Sequence, residues 1–419
     1  MGRDFAIALS LANLCLMKVW TSVYFTYSMD SQYHSQLSPN MIYYFAAILN
    51  VIILTVLFWV AMMLVRRSKK PTMIKVAKVA FILILTIPIY NVLSNVSKTL
   101  SIVFVIILLI LSLRMLTYFR SSITSFLIKG VLILFPFFLL NLLQPVLTFS
   151  KIDLSDFTDK PPAEAITEKE KDSKRILWII FDEMDQRLTF EDRSNNIKLP
   201  GFDLFRSQAL YANNAYPPAG ETDLSLPSLI TGKIFSKYKA VRPNDIMLTL
   251  SEDNQVAEWS TMPNIFSQAN KMGINTALIG WYHPYGRAIG SSLTSCIWRP
   301  SEIYRQVTVF EAMAQQVEIF INYSPLTEDF HILFKQFYDS DEWEQKERIQ
   351  TYEELFFVSK RAVVNPDLGL ILLHLPVPHP PGFYDSFKND YSINGSGYVD
   401  NLVLADCMFS ELRSSMESM

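Results

Sequence analysis

Three short stretches of the chain carry residue types suited to phosphoryl or metal chemistry. In IIFDEMD, Asp182 and Glu183 follow directly on an apolar run. Acids held at a rigid strand end are hard ligands for a divalent cation. In AGETDLSLPSLITG (219–232), small and polar residues lead into a helical pattern that Thr222 would open. A hydroxyl there meets free backbone N–H groups and the positive end of the helix dipole, which stabilise an alkoxide and the anion it attacks. In LILLHLPVPHPP (370–381), an apolar run delivers His374 and His379 to a loop that prolines hold extended, a setting for phosphate or metal contact. A fourth stretch, WYHPYGR (281–287), offers His283 and Arg287 as substrate contacts. Each also has a plainer role: a solvated acid pair, an N-cap at Thr222 with Ser225 in the first turn, structural histidines, and a surface loop.

Chemistry of this kind needs strands and helices to hold it. ILWIIF (176–181) is a continuous apolar run, as in a strand buried on both faces of a parallel sheet. Further strands are expected at 209–215, 275–281 and 368–374, with helices at 222–231, 262–272, 306–322, 342–363 and 397–418. The alternation predicts an α/β domain over 175–419 with helices on both sheet faces. Its chemistry should lie beyond the carboxyl ends of the strands. Residues 149–174 are charged and contain prolines, and read as a tether or surface segment. Cys15 lies in an apolar run, and the distant Cys296 and Cys407 imply no disulfide framework.

The first 148 residues are of another kind. The chain is only 18% charged, against about a quarter for soluble domains, and the deficit is local. Residues 1–150 hold 12 Lys/Arg and two acids, whereas residues 151–419 hold 25 and 38. A single soluble domain is thereby excluded, and so is a nucleic-acid binder, since the basic residues lie among apolar runs rather than on a folded face. Five spans are expected, at 5–25, 41–65, 76–95, 100–119 and 122–147, each near the roughly 20 residues that cross a bilayer. Arg66, Arg67, Lys69, Lys70, Lys75 and Lys78 flank the second and third, while the 26–40 loop has no Lys or Arg. The positive-inside rule puts the N-terminus in the cytoplasm and everything after about residue 148 outside the cytoplasmic membrane. The spans lack paired acids and broken-helix repeats, which argues against a transporter.

An Asp after the first strand, a nucleophile about 40 residues later heading a helix, and a late His–Pro segment together resemble the alkaline phosphatase superfamily. The sulfatase-like branch is the nearest in pattern. Five spans followed by an external domain are similar to the lipoteichoic acid synthases and lipid A phosphoethanolamine transferases. The likeness rests on motif over 175–419 and on architecture alone before that. Thr222, Ser225 and Pro227 reproduce the transferases' T-x-x-S-x-P pattern, and counting back from Thr231 and Gly232 also places the sulfatase nucleophile at Thr222. A competing register makes Ser225 the residue that becomes formylglycine, but it has Leu229 where the sulfatase arginine belongs.

The resemblance implies an α/β/α sandwich of alkaline-phosphatase type and a divalent metal, Zn²⁺ or Mn²⁺, with Mg²⁺ or Ca²⁺ as further candidates. Asp182 and Thr222 would bind it, with Glu183 in the place of the second acid. His379 matches the H-x-P histidine that contacts the transferred group. The implied activity is transfer of a phospho-head-group through a phosphothreonine at Thr222, on a membrane lipid or envelope glycan. Sulfuric ester hydrolysis and an inactive envelope scaffold are the alternatives. The family completes its metal site with a late Asp-His pair that does not follow His379 here, so the chain is expected to be incomplete at its C-terminus.

Overall fold

A computed structural model describes residues 2–36, 40–68, 70–93, 103, 105–107, 110, 122–167, 174–301, 307–323 and 340–418. Its helices begin with α1 (Gly2–Cys15), α2 (Met17–Thr26), α3 (Met29–His34), α4 (Ile42–Ser68), α5 (Pro71–Leu93), α6 (Ser122–Ile133) and α7 (Pro136–Phe149). Next come β1 (Ile176–Phe181), α8 (Pro200–Gln208), α9 (Thr222–Thr231), β2 (Phe235–Arg242), β3 (Asp245–Leu250), β4 (Val256–Glu258) and α10 (Ile265–Lys271). The chain continues through β5 (Thr276–Tyr282), α11 (Tyr285–Ile289), β6 (Ser295–Pro300), α12 (Val309–Asn322) and α13 (Ser340–Val363). It closes with β7 (Leu370–Leu375), β8 (Gly382–Asp385), β9 (Asp390–Ser396) and α14 (Tyr398–Glu417). These elements sort into two units.

The first unit takes residues 2–28, 40–151 and 307–323. Three of its helices are long and apolar enough to cross a membrane: Ile42–Ser68, Pro71–Leu93 and Ser125–Phe149. The pair α1 and α2, bent by 59°, makes up to a fourth. Large apolar side chains such as Leu57, Leu64, Phe126 and Leu147 point outward, as they do where the surrounding solvent is lipid. Polar groups turn inward and pair. Arg66 donates to buried Asp4 at 2.6 Å, and Tyr24 donates to Asn141, which donates to Asn13. The expected span at 100–119 lies largely outside the described residues. The helix expected at 306–322 forms as α12, but it belongs to this unit and not to the α/β domain. Asn50 on α4 donates to its Gln316 at 3.0 Å, and Gln316 donates to Tyr43 O at 2.7 Å.

The second unit takes residues 29–36, 152–301 and 340–418. Its centre is a four-stranded parallel sheet in the order β1-β7-β5-β6. β7 is buried along its whole length, which explains why LILLHL has no polar alternation. Successive β7 residues serve opposite faces. Ile371, Leu373 and Leu375 pack with Phe202 of α8, Leu355 of α13 and Met408 of α14. Leu370 and Leu372 pack with Ile230 of α9, Phe266 of α10 and Tyr285 of α11. The unit is thus an α/β domain covered on both faces.

Two expectations fail here. β1 is not buried on both faces but lies at the sheet edge, with Ile176 exposed and the rest half-buried. No strand forms at 209–215, where Asn213 and Asn214 make a turn and Leu210 is exposed. Residues 152–167, expected as a tether or surface segment, form a largely exposed strap along the sheet. Lys160 N donates to Gly286 O, Ala163 N donates to Leu293 O, and Asp159 accepts from the Trp298 indole at 3.0 Å. The antiparallel hairpin β2–β3 and the edge strand β6 are additions that the sequence reading missed.

Candidate functional site

Register places the chemistry. Ile180, His374 and Gly280 align across β1, β7 and β5, so the residues just beyond share one carboxyl edge of the sheet. Asp182 stands at the end of β1, anchored by its N–H to Leu375 O at 3.0 Å. Its Oδ2 faces His374 Nε2 at 3.8 Å. Both atoms are buried and neither has a hydrogen-bond partner among the described residues. Burial would raise the Asp182 carboxyl, but His374, His379 and His283 outweigh it and hold the pKa below the usual carboxylate range. His374 Nδ1 lies 2.9 Å from the Tyr285 hydroxyl, which can accept from an Nδ1–H, so that a bound cation could take Nε2 in place of its proton. An orphaned carboxylate oxygen and imidazole nitrogen at this separation are donors that suit a divalent cation.

Glu183 does not join them. Its backbone is left-handed, with φ of 56°, and its exposed carboxylate lies 3.2 Å from His379 Nε2. Its carbonyl accepts from the Tyr398 hydroxyl at 2.7 Å. His379 is partly exposed, and its ring centroid lies 5.0 Å from that of Trp281.

Thr222 opens α9, as its sequence context suggests. Glu221 is the N-cap in extended conformation, and no side chain caps the first turn. Among the described residues the Thr222 hydroxyl has no hydrogen bond. The Ser225 hydroxyl, by contrast, is engaged, donating to Ala219 O at 2.7 Å.

His283 and Arg287 are not placed as substrate contacts. Both are fully buried. His283 donates from Nε2 to Thr222 O at 3.1 Å, and the Tyr33 hydroxyl is 3.0 Å from Nδ1. Burial pushes its pKa down to about 4, so the ring is neutral. Arg287 donates to Tyr33 O at 2.9 Å and Ser35 O at 2.5 Å, and packs over the Trp298 ring at 4.9 Å. Its task is to hold 29–36 in this unit.

Two residues that the sequence reading passed over meet here. His34 Nε2 lies 3.0 Å from Asp223 Oδ1, and the Tyr282 hydroxyl donates to Asp223 Oδ2 at 2.9 Å. Burial would depress His34, but Asp223 outweighs it and raises its pKa. A signal existed. The chain has only five histidines, and one of them stands in the short loop after the first apolar run.

Compared with models of protein families, with curated proteins and with solved structures, the chain matches none.

Proposed function

We propose that this is a membrane-anchored, metal-dependent enzyme that transfers or hydrolyses a phosphate ester outside the cytoplasmic membrane, as in the sulfatase-like branch of the alkaline phosphatase superfamily. The observation that carries the reading is the orphaned pair of Asp182 Oδ2 and His374 Nε2, both buried, at the carboxyl ends of neighbouring strands. Those two residues would hold the cation. When bound, it would supply positive charge for the phosphoryl oxygens and make a nearby hydroxyl easier to ionise.

The remaining steps belong to side chains and backbone of this chain. The Thr222 oxygen gives up its proton to solvent and attacks phosphorus, forming an O–P bond while the bond to the leaving alcohol breaks. The N–H groups of Thr222 and Asp223, at the start of α9 and without a side-chain cap, offer donors to the oxygens that gain charge. His379 is partly open to solvent and lies 3.2 Å from Glu183, so it can give the departing oxygen its proton. Water or a second alcohol then takes the phosphoryl group from threonine. In this reading Asp182 and His374 replace the expected ligand set of Asp182, Thr222 and Glu183. Five spans with the N-terminus in the cytoplasm put the α/β unit on the side where envelope lipids and glycans are met.

The test is to incubate the full chain in detergent with divalent cation and a phospholipid donor, then map adducts by mass spectrometry. A phosphate or phospho-head-group on Thr222 is expected, with turnover lost in Thr222→Ala and largely kept in Ser225→Ala. An active Thr222→Ala protein would refute the reading, and formylglycine at position 225 would replace it with sulfuric ester hydrolysis.

A further inference from the structure

We infer that His34, Asp223 and His283 form a second divalent-metal site, separate from Asp182 and His374, that clamps residues 29–36 to the first turn of α9. One ligand atom from each lies within 4.8 Å of the others, and all three residues are buried. His34 Nε2 is 3.0 Å and His283 Nδ1 is 3.9 Å from Asp223 Oδ1.

The surrounding hydrogen bonds aim these atoms inward. His34 Nδ1 meets Asp30 O at 3.0 Å, and His283 Nε2 meets Thr222 O at 3.1 Å. A carbonyl only accepts, so each of those nitrogens carries a proton and the opposite nitrogen of each ring is directed into the cluster. Metal-bound histidines are oriented in this way, with the far N–H given to a carbonyl or carboxylate. Asp223 is held likewise, since its Oδ2 takes the Tyr282 hydroxyl and leaves Oδ1 toward both rings. Two imidazoles and one carboxylate are a set that Zn²⁺ accepts, and a cation there would take the His283 Nδ1 lone pair that the Tyr33 hydroxyl, 3.0 Å away, occupies in its absence. Without a metal, the same atoms form an ion pair between protonated His34 and Asp223.

The clamp would join parts of the chain that are far apart in sequence, at 34, 223 and 283. It would fix the turn that carries Thr222 whether or not Thr222 is a nucleophile, so its test stands apart from the one above.

The experiment uses the full chain in detergent, stripped with a chelator and titrated with Zn²⁺ alone. A variant with both Asp182→Asn and His374→Gln should still bind zinc in a one-to-one ratio, and adding His34→Gln or His283→Gln should abolish that binding. His34→Cys supplies a thiolate in place of the imidazole. It should restore binding, and with Co²⁺ it should show thiolate-to-metal absorption in the near ultraviolet. Wild-type protein should melt at a higher temperature in Zn²⁺ than in chelator, and the rise should survive Asp182→Asn with His374→Gln. No zinc in that double variant, full zinc retained in both histidine variants, or no zinc-dependent rise in melting would each overturn the inference and leave the ion pair.

Discussion

Thr222 and Ser225 stand one turn apart on α9, and their different hydrogen bonding decides what each substitution should do. Ser225→Ala removes a donor to Ala219 O, a loss of about 1 kcal/mol that thermal melting should detect with turnover kept. Thr222→Ser keeps the hydroxyl and loses only the methyl that limits its rotamers, so part of the turnover should remain. His283 gives a pH dependence. Its pKa falls from 6.5 to about 4 on folding, so the unfolded chain binds the proton more readily. The stability it contributes is present above pH 6.5 and is lost as pH falls toward 4, amounting to about 3 kcal/mol. His34, raised by Asp223, acts in the opposite sense and loses its contribution as pH rises above its folded pKa. Melting of chelator-treated protein between about pH 7 and 4 should therefore fall steeply, and His283→Gln should flatten the slope. An unchanged slope would show that His283 does not stay neutral in the fold.

At the scale of elements, the strap and the central strand carry the geometry of the site. A methyl at Gly286 would come within 2.4 Å of the Asp159 side chain, closer than atoms can approach. Gly286→Ala should therefore turn the Asp159 side chain away, break its bond to the Trp298 indole and loosen the 152–167 strap. Limited proteolysis should then cut within 152–167, where the wild type resists. Leu372 on β7 is fully buried, and Leu372→Ala should cost about 2–5 kcal/mol, read as a shift of the urea midpoint. The cavity would open on the face covered by α9, α10 and α11. Ile371 and Leu373 point to the other face, against α8, α13 and α14, and their packing should change little.

For the molecule as a whole, charge asymmetry decides the side of the membrane on which the α/β unit works. A phosphatase reporter fused after residue 160 should be active, and one fused in the 66–75 loop should be silent. The reverse pattern would place the α/β unit in the cytoplasm and remove envelope lipids from its reach. The basic residues flanking Ile42–Ser68 and Pro71–Leu93 carry this prediction, since lysine and arginine are retained on the cytoplasmic side during insertion.

What the sequence alone determined is local and periodic. Apolar runs pointed to helices long and apolar enough to cross a membrane, and LILLHL to a strand buried on both faces, because length and polarity act residue by residue; ILWIIF forms a strand as well, but at the sheet edge and only half-buried. The start of α9 at Thr222 was legible for the same reason, as small polar residues gave way to a helical pattern. The β2–β3 hairpin was missed although Pro243 and Asn244 mark its turn, since its pairing joins strands of mixed polarity that no single run reveals. Only tertiary structure decided which charged groups meet. Arg287 reads as a surface residue until its guanidinium is found against Tyr33 O and Ser35 O, and Glu183 reads as the partner of Asp182 until its backbone turns it to His379. His34 and Asp223 lie 189 residues apart in the chain and 3.0 Å apart in space. Such a contact depends on how every intervening element packs, and no spacing along the chain encodes it.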